Sequence, residues 1–248
     1  MPRTMLNDQH WSKLTTIFRH FNIYLKLNLR NFIEAILFRI RTGCPWRDLP
    51  QEFGKPNSIF KKYNRWSKKN KLMNIFKLFS QHADKEWIFI DGSHVRAHQH
   101  SAGIKNQDIS KSIGGNSSKI HLAIDSNGNP IEFIISDGTS HDMKIAPDLV
   151  SKLDLSESEM LCADKGYDSK SLRKQIQDSK TKPNIPRKSN TKSSNDHMDW
   201  YMYKIRHLVE NSFCRLKQFR GIATRYDKLK RNYPVSYTHL TLPTNSEV

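Results

Sequence analysis

The sequence predicts an α/β protein in which a small all-α, helix-turn-helix-like region precedes a mixed sheet flanked by helices. Three observations carry that expectation. Apolar residues recur at three- and four-residue spacing as far as Ile40, short β-rich runs begin at Trp87, and strand-like and helix-like segments alternate from there on. A chain of 248 residues has room for one large domain, or for a small one joined to a medium one. The change of character near residue 80 favours the second: a helical region over 1–80, a sheet domain over 85–234, and an atypical tail over 235–248.

Trp11, Leu14, Ile17 and Phe18, then Phe32, Ile33, Ile36, Leu37 and Ile40, line the inner faces of two amphipathic helices. Gly43 and Pro45 end the second. After the turn GCPWRDLP, the segment KPNSIFKKYNRWSKKN has Ile59, Phe60, Tyr63 and Trp66 on one face and Lys61, Lys62, Arg65, Lys68 and Lys69 around the rest. A basic helix after a short turn is the layout of a helix-turn-helix, whose second helix enters the major groove. A helical bundle with a solvated basic face accounts for the same pattern equally well.

WIFID, SKIHLAID (118–125), PIEFIIS (130–136) and EMLCA (159–163) read as strands. SKIHLAID and PIEFIIS form a hairpin across Ser126, Asn127, Gly128 and Asn129, so the first three strands are antiparallel. SKSLRKQIQDSK then reads as a helix and PNIP as a strand, which makes the sheet mixed. HMDWYMYKIRHLVENSFCRLKQF reads as one long helix with no internal breaker, and the Gly/Ser-rich stretch 101–119 as a mobile loop.

The formal charge of +17 points to a polyanionic partner, nucleic acid before a membrane surface. Its distribution says more: residues 1–80 and 180–234 are strongly basic, whereas 81–179 carry an acidic excess. Carboxylates inside a basic frame suit an enzyme that holds cations beside a phosphodiester. Cys44, Cys162 and Cys214 stand far apart with no CxxC pair, which argues against a zinc ribbon or a disulfide framework and fits a reducing cytosol. No run approaches the roughly 18 apolar residues of a membrane span, so a cytoplasmic protein is expected.

Asp91 follows WIFI and Asp164 follows EMLCA, two strand ends that can converge on one sheet edge. Taken singly, each is more often a turn or cap residue. Glu210 lies in an apolar-patterned helix beside Arg206 and Lys217. The spacing Tyr203, two residues, Arg206, three residues, Glu210, six residues, Lys217 resembles the signature of DDE-type insertion-sequence transposases. IFIDGSHVRAHQH, GGNSSKIHLAID, ADKGYDS and RHLVENSFCRLKQFRGIATRYDK resemble blocks of that family in the same order, over about residues 6–234.

The resemblance implies an RNase H-like fold with Asp91, Asp164 and Glu210 as catalytic acids holding two Mg²⁺ ions, for which Mn²⁺ substitutes. It further implies DNA contacts by Tyr203, Arg206 and Lys217 near the active site. Lys165, beside Asp164, and Lys61, Lys62 and Arg65 of the basic helix are the remaining expected DNA contacts. The implied activity is cleavage at insertion-sequence ends and strand transfer into target DNA by a homo-oligomer; the rivals are a nuclease that only cuts and an inactive, DNA-binding remnant. His94, His98 and His100 lack the fourth ligand of a zinc site, and Asp125 and Asp168 fall outside the signature and are expected to be structural. VSYTHLTLPTNSEV, after Pro234, does not resemble the family's apolar final helix and reads as a foreign join.

Overall fold

The computed structural model describes residues 4–102, 106–112, 114–188, 191 and 193–238. They divide into a helical unit (Met1–Phe79, His98–Gln107 and Leu216–Val248) and a sheet unit (Ser80–Ala97 and Asp108–Arg215). The helical unit is thus assembled from three stretches of chain, where the sequence suggested the first eighty residues alone.

In the helical unit, α1 (Asp8–His20) begins where the Asn7 side chain accepts from the His10 amide at 2.7 Å, which satisfies one of the free amides of the first turn. Next, α2 (Leu29–Thr42) is buried along most of its length, Glu34 and Arg39 included, and stops at Gly43, whose φ of 69° is the left-handed C-cap conformation. Thirteen-residue α3 (Pro56–Lys68) starts on a proline, and α4 (Lys71–Ser80) follows after Lys69 and Asn70. The sequence reading did not foresee α4. Nor is the α2–α3 link a short helix-turn-helix turn, because it contains two 3₁₀ turns, Trp46–Asp48 and Gln51–Phe53. Phe18 and Phe32 meet Trp66 edge-on, at 6.2 and 5.1 Å between ring centroids.

The end of the chain completes this core. Short α9 (Arg220–Ala223) lies so close to α2 that a Cβ on Gly221 would come within 2.9 Å of the Ile40 carbonyl oxygen. Asp227 forms a buried ion pair with Arg39 (3.2 Å), and the Trp46 ring covers the guanidinium at 4.4 Å. Tyr63 donates to the Asn232 carbonyl at 2.7 Å, and α10 (Tyr233–Thr238) buries Tyr233, Val235 and Ser236. Val235 and Ser236 belong to the tail that the sequence marked as foreign; its residues 239–248 lie outside the described residues.

In the sheet unit, β1 (Trp87–Ala97) pairs antiparallel with β3 (Gly115–Ile124), reached through short β2 (Ser110–Ser112). β4 (Pro130–Asp137) pairs with the other edge of β3, and β2 pairs with the start of β3. On its second edge β1 runs parallel to β5 (Met160–Ala163), which is parallel to β6 (Lys182–Asn184). The mixed sheet and the 125–129 hairpin turn are as expected. Two details differ: β1 continues six residues past Asp91 to Ala97, and the stretch read as a loop over 101–119 contains β2 and the first residues of β3. Gly103–Lys105 and Ile113 of that stretch lie outside the described residues.

Side chains alternate across the sheet. Ile88, Ile90, Ala123, Leu161 and Ala163 bury one face against α5 (Asp142–Ser151) and α6 (Lys170–Asp178), through Ala146, Leu149, Val150, Leu172 and Ile176. Helix α5 escaped the sequence reading because Pro147 interrupts its pattern; packing on the sheet sustains it. Toward the other face, the expected single helix is two, α7 (Trp200–Ile205) and α8 (His207–Lys217). At Arg206 the bonds Arg206 N–Tyr203 O (3.2 Å) and Val209 N–Arg206 O (3.0 Å) have the i to i+3 spacing of a tighter turn.

Asp227→Ala leaves Arg39 buried without its counter-charge and should cost about 3–5 kcal/mol. Urea denaturation of the two proteins measures this; a loss under about 1 kcal/mol would show that the pair is dispensable.

Candidate active site

The sheet unit brings the expected acids toward one side. β1 and β5 last pair at Ile90 and Ala163, so Asp91 and Asp164 are the next residue on each of two adjacent parallel strands. By alternation both carboxylates project from the face opposite α5 and α6. Asp91 therefore stands at a fork, not at a strand end: β1 leaves β5 there and continues along β3, with Asp91 opposite Leu122. Asp164 caps the 3₁₀ turn Lys165–Tyr167, its Oδ1 accepting from the Gly166 amide at 2.7 Å.

Arg206 joins this pair to the helix. Its Nη1 donates to Asp91 Oδ2 at 2.8 Å and its Nη2 to Glu210 Oε1 at 2.7 Å, so one guanidinium spans both carboxylates. Burial pushes the Asp91 carboxyl above the usual carboxylate range and the charge of Asp164 adds to this, while the Gly92 amide and the Arg206 guanidinium pull against it. Sequence reasoning assigned Arg206 to DNA alone; the only signal of its engagement with the acids was the four-residue spacing to Glu210, an ordinary helix ion-pair spacing.

The remaining expected residues fall in different places. Lys165 is exposed directly after Asp164, and Tyr203 is half-buried with the Arg206 guanidinium 5.7 Å from its ring centre. Lys217 closes α8 and is counted with the helical unit. On α3, Lys61 and Arg65 are exposed, whereas the Lys62 ammonium sits 4.2 Å from the centre of the Phe32 ring. Burial lowers the pKa of Lys62, helped by the charges of Arg65 and Lys26. His98 stacks on His100 and Tyr226, at 4.9 and 5.2 Å. Asp125 accepts from the Asn127 and Asn129 amides of the hairpin turn, and Asp168 pairs with Arg173.

The donor chemistry suits a divalent cation. Asp91, Asp164 and Glu210 offer hard oxygen ligands, and the repulsion between the charges of Asp91 and Asp164 favours a counter-cation. In this conformation the counter-cation at Asp91 and Glu210 is Arg206, and among the described residues no three His, Cys, Asp or Glu side chains are gathered closely enough to hold one metal ion.

Residues 82–238 match the family model described as "Transposase DDE domain". The chain belongs to this DDE transposase family. Residues 6–76 of the transposase match a second model, "Putative transposase of IS4/5 family". The chain is 34% identical over 123 residues to "Putative transposase for insertion sequence element IS6501" of Brucella ovis, covering 49% of this chain and 92% of that one. It is 39% identical over 80 residues to "Uncharacterized protein y4sN" of Sinorhizobium fredii, covering 32% of this chain and spanning 64% of that protein's length. Among solved structures, a piggyBac transposase synaptic complex with hairpin DNA aligns with a TM-score of 0.52 at 10% identity, over 96% of this chain and 72% of that one. That likeness is one of fold, and the transposase has the expected RNase H-like mixed sheet flanked by helices after a helical N-terminal region. Among the described residues no helix is long and apolar enough to cross a membrane.

Because Arg206 pulls the Asp91 pKa downward, Arg206→Gln should move the Asp91 titration to higher pH. Carboxyl carbon shifts followed by NMR against pH measure it, and an unchanged midpoint would show that the pair has no electrostatic weight.

Proposed function

We propose that this chain cleaves DNA at the ends of an insertion sequence and joins the freed ends to target DNA, with Asp91, Asp164 and Glu210 as its catalytic acids. The observation that carries the reading is the sharing of one guanidinium by Asp91 and Glu210, with Asp164 next to Asp91 across the parallel strand pair. The three carboxylates would hold two Mg²⁺ ions, or Mn²⁺ in their place. Bound divalent ions supply a more acidic attacking water or 3′-hydroxyl and a stabilised leaving oxygen for in-line displacement.

The protein's own groups position the DNA. Lys165, Tyr203 and Arg206 hold phosphates beside the acids, Lys217 contacts DNA from the end of α8, and Lys61, Lys62 and Arg65 grip the element ends. Within that set Lys61 and Arg65 make the exposed contacts, while Lys62 works from its seat on Phe32. Two ends joined in one reaction require a homo-oligomer, and the chemistry proceeds in the cytoplasm.

The test is Mn²⁺-dependent nicking of DNA carrying the element's own ends, comparing the wild type with Glu210→Gln. Glu210→Gln should lower the rate about a thousand-fold, the several kcal/mol of charge stabilisation that a bound metal provides. Strand-transfer joints distinguish a transposase from a nuclease that only cuts. Folded, end-bound protein with no nicking by the wild type would overturn the catalytic reading in favour of a DNA-binding remnant.

A further inference from the structure

We propose that Asp142, at the start of α5, is a positioning residue that ties the strand bearing Asp91 to the turn bearing Asp164 from the opposite face of the sheet. This rests on the reading of Asp91 and Asp164 as metal ligands. Asp142 is outside the signature residues, and nothing in its sequence context beyond its place before an apolar run singles it out.

One carboxylate meets three elements. Its Oδ2 accepts from Lys119 Nζ at 2.8 Å and its Oδ1 lies 3.2 Å from His121 Nδ1, both on β3. The Tyr167 hydroxyl donates to Oδ1 at 3.4 Å, from the end of the turn that Asp164 caps. On β1, a Cβ added to Gly92 would stand 2.7 Å from Asp142 Oδ1 and 3.2 Å from the Tyr167 hydroxyl. Gly92 follows Asp91 and lies opposite His121 in the strand pairing. The absence of a side chain at Gly92 is what lets the Asp142 carboxylate lie directly behind Asp91.

The cluster is built to stay charged and fixed. Burial raises the Asp142 pKa, but the nearby His121 ring and the hydrogen bond and charge of Lys119 outweigh it and bring the carboxyl to about 2. Lys119 keeps 11% of its side chain exposed and His121 none. His121 Nε2 also lies 2.9 Å from Ser136 Oγ, so Ser136, His121 and Asp142 stand in the order of a nucleophilic triad. With His121 wholly buried and Ser136 at 6% exposure, no acyl substrate can reach that serine, and the line serves as a brace. Buried polar networks of this kind stiffen what they touch, and outer-shell groups that orient metal ligands typically change metal affinity 10- to 100-fold when removed.

Asp142→Asn keeps the shape and removes the charge; Tyr167→Phe cuts only the link to the Asp164 turn. Both are to be made in the full chain and titrated with Mn²⁺ by electron paramagnetic resonance, without DNA. Amide exchange is to be followed by NMR at Gly92 and Gly166, whose amides donate to Asp91 and Asp164. The expected result is Mn²⁺ binding weakened about 10- to 100-fold by Asp142→Asn, weakened less by Tyr167→Phe, with faster exchange at both glycines. A folded Asp142→Asn protein with lower melting temperature but wild-type Mn²⁺ affinity and exchange would overturn the proposal and leave Asp142 a structural residue. If Asp142→Asn does not fold, Tyr167→Phe decides by the same two readouts. If the wild type binds no Mn²⁺, the ligand reading fails, and unchanged exchange at Gly92 and Gly166 would then overturn the tie as well.

Discussion

Carboxylates that crowd together half out of water repel one another and lose hydration, and the sheet unit is arranged around meeting that cost. Asp91 and Asp164 emerge side by side from a parallel strand pair, and the Arg206 guanidinium stands against Asp91 and Glu210 together. Fastening Arg206 in this way coincides with the tightened turn between α7 and α8, which would otherwise form one helix. The two ion pairs of Arg206 and the raised pKa of Asp91 belong to the same electrostatic problem.

The helical unit solves a different problem with a related device. Its N-terminal helices enclose a cluster of aromatic rings, but the cluster is closed by residues more than 150 positions further along. Asp227 neutralises Arg39 under the Trp46 ring, and Gly221 lets α9 touch the backbone of α2. An unpaired guanidinium at that depth is costly, so the basic N-terminal region depends on chain from beyond α8. Lys62 shows how basic residues serve both roles, its ammonium seated on an aromatic ring while Lys61 and Arg65 remain in solvent.

Elements with a clean period were legible. The amphipathic faces of α1 and α2, the β3–β4 hairpin with its Gly128 turn, and α6 between two strands stood where the pattern put them, and on α3 Ile59, Tyr63 and Trp66 are buried as expected while Phe60 is exposed. Elements whose stability comes from packing were not. Pro147 disguised α5, whose helix is held by Ala146, Leu149 and Val150 against the sheet, and polar β2 forms because the start of β3 offers it a ladder. The candidate acids were readable as a spacing of residue types. The partner that Arg206 takes, and the seat of Asp142 behind Gly92, were not, because both join residues far apart in the chain.

By itself, the sequence determined the class of protein: a basic frame around an acidic centre, a helical region before a mixed sheet, and a Tyr-Arg-Glu-Lys spacing shared with DDE transposases. The first two are properties of composition and local periodicity and the third is a resemblance in residue spacing, and none of them needs a folded chain to be expressed. Only the tertiary structure decided that Asp91 sits at a fork in a continuing strand, that one guanidinium spans two acids, and that the last described residues close the first helices. Each depends on strand register or on contacts over a hundred residues apart, and register and long-range packing are set by the whole core at once.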